Sequence, residues 1–270
     1  LVSMATSVSG DGIGTSTIGF GEGFEEDLLT GMADAGRGAS YFAAGPEEAP
    51  AIFAEEFEGL AGLVAQNVSV EIQPTDDVEV LGVLHDYPAV AVSDGIQVQL
   101  GDAFGEQETR VIFKFLVPGL ADLGPKRIAD VVVRYVALGE QVEAHEVTIP
   151  VAVNLVDAGT AEGEAPDTTV TDEVIVLQAA EARKRANDLA DEGRHDEAQK
   201  LLESTADTLE AMAAASPRVD ELRDHAERLR FTSERFASGT FDALDKKRMH
   251  FESHSSLRSR PMPPPRKDDE

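Results

Sequence analysis

Three short stretches of the chain have residue types and spacings that could do chemistry. The first is Gly19-Phe20-Gly21-Glu22-Gly23, which follows the β-branched run Thr15-Ser16-Thr17-Ile18. A strand, a glycine turn and a helix together form the usual phosphate cradle, because free backbone N–H groups at a helix start attract anions. Here the spacing is Gly-x-Gly-x-Gly rather than Gly-x-Gly-x-x-Gly, and no Lys-Ser/Thr pair follows. Glu25, Glu26 and Asp27 stand where a phosphate would sit. The stretch is expected to be a strand-to-helix turn that uses glycine's tolerance of positive φ. The second stretch is His250-Phe251-Glu252-Ser253-His254, in which two His at i and i+4 on a helix could share a metal. It departs from His-Glu-x-x-His because Phe251 holds the Glu position. A solvated basic segment is the expectation. The third, Val92-Ser93-Asp94-Gly95, places one acid after an apolar run, and a hairpin turn accounts for it. The six His are otherwise scattered, so no Ser–His–Asp set can be picked out. No catalytic, cofactor-binding or metal-ligating residue is assigned.

Composition narrows the classes further. The chain has 270 residues, 51 acids, 23 bases and a net charge of −28. That field repels nucleic acid and anionic membranes, so no nucleic-acid partner is expected. One local exception is the run holding Lys246, Lys247, Arg248, Arg258, Arg260, Arg266 and Lys267. Like-charge runs are usually solvated tails, so residues 244–270 are expected to be a mobile tail that docks on the acidic body by weak, screened attraction and supplies any binding to anionic partners. There is no Cys, which excludes disulfides, zinc–thiolate sites and a Cys nucleophile. Trp is absent and aromatics are 6%, which argues against stacking platforms for bases or sugars. No apolar stretch is long enough for a transmembrane helix, and Leu1-Val2-Ser3-Met4 has no basic, then apolar, leader pattern. A cytoplasmic location is the expectation.

The positioning elements follow from periodicity. Asp27-Leu28-Leu29 and Met32-Ala33-Asp34-Ala35-Gly36 have helical spacing, Ala39-Ser40-Tyr41-Phe42 reads as a strand, and Glu47 to Phe57 as a helix. Ile52, Phe53, Phe57, Leu60 and Leu63 form that helix's stripe. Around Val64 the period changes to two. Val68, Val70 and Ile72, then Val78 and Val80, Ile96 to Leu100, Val111 to Phe115, Val131 to Tyr135, and Val147 to Val153 read as short strands. Phe113 and Phe115 are expected in the core, opposite Lys114. From Asp172 the chain is helical, with Val174, Leu177, Ala182, Ala186, Leu189 and Ala190 on one face, and Pro217 divides two later helices. The turn at Asp191-Glu192-Gly193-Arg194-His195-Asp196-Glu197-Ala198 resembles that of a tetratricopeptide repeat. A single such unit cannot stack, so a lone helical hairpin is expected.

The run Thr15–Gly21, followed by Asp27-Leu28-Leu29 and Met32–Gly36, resembles the C-terminal half of a von Willebrand factor type A domain. Some bacterial relatives place a β-sandwich and a helical region after that domain, and Val64-Ala65-Gln66-Asn67-Val68 matches the junction. The resemblance implies a divalent ion, usually Mg²⁺, held by an Asp-x-Ser-x-Ser loop, a Thr and a further Asp. This chain contains no Asp-x-Ser-x-Ser. Mg²⁺ is therefore expected only if an N-terminal half carrying that loop were present, and the chain is read as N-terminally truncated.

The expected fold class is mixed multidomain: a partial α/β segment, an antiparallel β-sandwich and a helical hairpin or bundle. The expected division is 1–62 for the α/β half domain, 63–156 for the sandwich, 157–171 for a linker, 172–238 for the helical region and 239–270 for a basic, Pro-containing tail. The resemblance implies a non-enzymatic interaction or adhesion-type scaffold with an unidentified protein partner. Its incomplete α/β sheet would leave an edge open for self-association. The rival readings are an accessory subunit of an enzyme or transport complex, and an enzyme whose site is not recognisable.

Overall fold

The computed structural model of the chain describes residues 1–105, 108–119, 123–139, 142–161, 165–260 and 262. The side chains at 55 and 57–61 lie outside that description, including the expected stripe residues Phe57 and Leu60, as do Arg266 and Lys267 of the basic run. The chain divides into two compact units. One is Leu1–Glu56 together with Thr168–Glu270, and the other is Phe57–Asp167.

In chain order the first unit opens with α1 (Val2–Gly10), β1 (Thr15–Phe20), α2 (Glu26–Ala35), β2 (Arg37–Ala43) and the start of α3 (Ala49–Ala61). β1 and β2 pair in parallel, with α2 as the crossover between them. Thr17, Gly19, Ser40 and Phe42 form the buried face of this two-stranded sheet. On α3, Ile52 is buried as its spacing predicts, but Phe53 is half exposed.

The second unit holds β3 (Leu63–Pro74), β4 (Glu79–Val83), β5 (Ala89–Val92), β6 (Gly95–Phe104), β7 (Phe113–Leu116), β8 (Gly124–Leu138), β9 (Val142–Leu155) and the short α4 (Ala158–Ala161). Five strands form an antiparallel sheet in the order β5-β6-β3-β8-β9, and β4 pairs with β7 in a separate two-stranded sheet. Alternation along β3 is broken at Asn67, which has φ 57°, and both neighbouring ladders shift register there. Beyond this bulge Ser69 and Glu71 are buried on one face and Ile72 on the other, so the expected apolar-in, polar-out order does not hold. Phe113 and Phe115 do point the same way, opposite Lys114. They are only half-buried rather than core, because they lie in the small β4–β7 sheet.

The chain then returns to the first unit with α5 (Thr168–Asp191), α6 (His195–Ala213), α7 (Val219–Ser238) and α8 (Ala243–Leu257). The core of α6 is Ala198, Leu202, Ala206, Leu209 and Ala213, and that of α7 includes Leu222, Ala226, Leu229 and Phe236. α5 packs against α6, α7 and α8 and is buried on more than one face, from Ile175 and Val176 round to Ala179, Ala182 and Leu189. The single stripe expected for it is therefore incomplete.

The largest departure lies in the expected mobile tail. Residues 243–257 are a helix. Asp242 and Asp245 close its start with a reciprocal capping box, at 2.9 and 3.0 Å. Met249, Phe251 and Leu257 are buried, and Leu244 is half-buried. Phe251 lies 6.0 Å from Phe24 and 5.8 Å from Phe42 between ring centroids, so α8 completes the core beneath β1 and β2. Ser253 Oγ donates to Ala180 O at 2.8 Å and Asn187 Nδ2 donates to Lys246 O at 3.2 Å, which fastens the other side of α8 to α5.

Replacing Phe251 by Ala should therefore cost about 3–5 kcal/mol, the range for a fully buried ring. Phe113→Ala should cost about half of that or less, since its ring buries less apolar area. Urea denaturation of both variants, followed by far-UV circular dichroism, checks the ordering. Equal losses would mean that α8 is not part of the core.

Candidate functional site

The glycine turn is held by a lysine rather than open to an anion. After β1 the chain passes over Gly19, where any Cβ would collide with the Phe24 ring. It then turns through Gly21 at φ 61° and enters α2. Lys247 Nζ donates to Phe24 O at 2.6 Å, lies 3.0 Å from Glu26 Oε1 and stands 4.1 Å from the Phe24 ring centroid. Burial alone would raise the Glu26 carboxyl, but the Lys247 bond and charge outweigh it and hold the group below its ordinary range. The expected strand-to-helix turn is what the structure has.

His250 and His254 are neither a metal pair nor a solvated segment. Both face α2. His254 Nε2 lies 3.2 and 3.3 Å from the two Asp34 oxygens and, since a carboxylate only accepts, carries the shared proton. Arg258 Nη2 donates to the same carboxylate at 2.7 Å. Burial raises Asp34, but the His254 hydrogen bond and the charges of His254, Arg258 and Arg260 prevail and lower it. His250 Nε2 lies 3.5 Å from Thr30 Oγ1, and burial pulls its pKa down. The rest of the basic run is also tied inward. Lys246 binds Asp191 at 2.7 Å, Arg248 lies 3.6 Å from Glu48, and Arg260 donates to Gly38 O. The described bases of that run are thus paired with acids or carbonyls of the same unit.

Sequence reading missed the buried polar centre of the helices. Arg183 is 1% exposed. Its Nε lies 3.2 Å from Glu252 Oε2, while Arg228 Nη1 donates to Glu252 Oε1 at 3.1 Å. Both terminal nitrogens of Arg183 lie 3.4 Å from His225 Nδ1, which must be the unprotonated acceptor. Burial, then the charges of Arg183, Arg228 and Arg218, push His225 well below its ordinary value. One signal was available: Arg183 falls at helical spacing within the apolar set Val176, Ala179, Ala180 and Ala186.

In the second unit Ser93 and Asp94 form the two-residue turn between β5 and β6, as expected. Gly95 follows at φ 157°, pressed so closely on Ile72 O that no side chain would fit. Asp94 lines an open cavity of about 640 Å³ with Asp76, Arg127 and Asp130. Arg127 pairs with Asp130, and no group of three His, Asp or Glu able to hold a metal occurs among the described residues.

At the other border of the sheet lies β9. It pairs with β8 along its whole length and with no further described strand. Residues 142–150 are exposed on both faces, with Val142 at 70%, Val147 at 44% and Ile149 at 50%. One face of β3, β8 and β9 carries the polar row Glu71–Arg134–Glu146, with Arg134 Nε donating to Glu146 at 2.7 Å. Hydrogen bonds from Gln73 and Arg134 hold the Glu71 carboxyl below its ordinary value. On the opposite face Ile72, Val131 and Ile149 line up, as do Val70, Val133 and Val147. That apolar row is buried at Ile72 and opens to solvent on β9.

No protein-family model and no curated protein matches the chain. Solved structures do. The von Willebrand factor type A protein from Catenulispora acidiphila superposes with a TM-score of 0.63 at 17% identity, covering 85% of this chain and 54% of that one. The human COPII-coat protein Sec24c superposes with a TM-score of 0.56 at 12% identity, covering 94% of this chain and 34% of that one. At these identities the likeness establishes the fold, a mixed α/β architecture of the von Willebrand factor A type. The chain spans about half and a third of the two structures. Among the described residues, no helix is long and apolar enough to cross a membrane.

The buried centre has a pH signature. His225 in the folded chain has a pKa below its ordinary 6.5, so below pH 6.5 the unfolded chain binds a proton that the folded chain does not. Stability should be complete above pH 6.5 and fall as pH drops from there towards the folded value, with His250 adding a slope of the same sign. Asp34 and Glu26, held low, add a further loss in the carboxylate range. Urea midpoints measured against pH should decline less steeply in His225→Asn than in the parent. Separately, Glu252→Ala strands buried Arg183 and should cost about 3–5 kcal/mol, the usual penalty for breaking a buried pair.

Proposed function

We propose that this chain is a non-catalytic protein-interaction scaffold related to bacterial von Willebrand factor A proteins. A partner segment would add along the free edge of β9. The observation that carries this reading is β9 itself, a 14-residue edge strand whose apolar row, Val147 and Ile149, continues the buried row of Ile72 and Val131. Strand addition derives affinity from the unpaired backbone groups and selectivity from alternate side chains. Glu143, Glu146 and Pro150 on the same strand are the devices that keep a long edge from indiscriminate pairing. The fold likeness to a coat protein and to a von Willebrand factor A protein supports the same class. In this reading the two sheets of the Phe57–Asp167 unit make up a β-sandwich, and α5 with α6 is a helical hairpin built on the Gly193 turn. An accessory subunit of a larger complex would use β9 in the same way.

The test pairs Val147→Lys with Ile149→Lys. Both positions are exposed, so stability should change by no more than about 0.5 kcal/mol. Binding partners captured by the parent chain should be lost to the double variant, and chelation of divalent ions should leave capture unchanged. Partners retained equally by both would remove β9 from the reading. Loss on chelation would restore a metal-dependent mechanism.

A further inference from the structure

α7 and α8 face each other with matched stripes. Positions 224, 227, 228 and 231 recur at i, i+3, i+4 and i+7 on α7, and positions 245, 248, 249 and 252 repeat that spacing on α8. The two stripes line one cavity of about 190 Å³. At roughly 30 Å³ per water this is room for about six waters, or for a short alkyl chain with a polar head. Its apolar wall is Met249, 1% exposed, with Phe231.

The charges lining the cavity nearly all have partners. Asp224 accepts from Arg228 Nε at 2.8 Å, Glu252 is held by Arg228 and Arg183, and Asp245 by Arg235. Arg248 is matched by Glu48 at 3.6 Å. Glu227 is exposed and has no ion pair among the described residues. The cavity therefore offers an apolar wall and one unmatched negative charge, within a chain whose net −28 raises the local concentration of cations.

We infer that the α7–α8 cavity binds an organic monocation, an amine or guanidine on a short alkyl stem, with its charge on Glu227 and its stem against Met249 and Phe231. Such a group is carried by a free small molecule or by a Lys or Arg side chain of a partner. The pocket stands on α7 and α8 alone and does not depend on the reading of β9.

Isothermal titration of the full chain with n-butylammonium, n-butanol and butyrate separates the chemistry. Butylammonium should bind at least tenfold more tightly than butanol, and butyrate should not bind. Glu227→Gln should weaken butylammonium at least tenfold and change butanol much less, because only the cation forms an ion pair with the carboxylate. Glu203→Gln, exposed on α6, should change neither. Equal binding of alcohol and amine, preference for butyrate, indifference to Glu227→Gln, or no binding at all would each overturn the inference. n-Butylguanidine and a terminally blocked, glycine-flanked arginine peptide then identify the source. Binding of both, each weakened by Glu227→Gln, assigns a partner's side chain, and binding of butylguanidine alone assigns a small molecule.

Discussion

The first unit depends on the seat of Phe251. Its ring meets Phe24 and Phe42, which themselves lie 6.2 Å apart, and so closes the apolar layer under a parallel sheet of only two strands. A parallel pair buries its face only when a helix covers it. α2 supplies part of that cover and α8, some 200 positions further along the chain, supplies more. The Phe57–Asp167 unit is thus inserted within the first unit rather than appended to it. Closing so long a loop costs little more than closing a moderate one, since the entropy grows only logarithmically with length. The consequence is kinetic, because contacts of this sequence separation form late.

The same helix explains why so many charged groups lie inside. α8 brings Lys247, Arg248 and Glu252 into buried positions, and buried charge persists only when paired. Each finds a partner on a different element: Glu26 on α2, Glu48 ahead of α3, and Arg183 and Arg228 on α5 and α7. Pairs of this kind add little net stability over apolar packing, but a misplaced helix would strand several charges together. They therefore act on register more than on depth of the energy well.

This distribution also decides what could be read from sequence. Strands β3, β6, β8 and β9 were legible because an alternation of two residues is a strong signal, and β1, α2 and β2 because a β-branched run, glycines and helical spacing occur in order. The bulge at Asn67 was hidden, since one inserted residue reverses every later side chain without altering composition. α8 was hidden for a different reason. Its apolar residues Leu244, Met249, Phe251 and Leu257 do not form one stripe, because the helix is clasped by α5 on one side and by α2 and β2 on another. A seven-base run with serines then resembles a tail in composition, although Asp242-x-x-Asp245 marks a helix start. The buried Arg183–His225–Glu252 centre needed three separate helices to be placed before its members could meet.

The pairing of the described basic run within the unit has an electrostatic consequence. With Lys246, Lys247, Arg248 and Arg258 bound to the unit's own acids, the bulk of the −28 charge has no mobile counter-segment among the described residues to screen it. On the proposed reading, a strand added to β9 would meet the acids Glu143 and Glu146 on that strand, within a chain of this net charge. Basic partners would then be drawn in and acidic ones slowed, and both effects would fade as added salt shortens the Debye length below about 10 Å. The apolar row of Val147 and Ile149 is insensitive to salt. If β9 is the docking edge, selection by charge at long range and by strand geometry at contact would therefore be separable properties of the same surface.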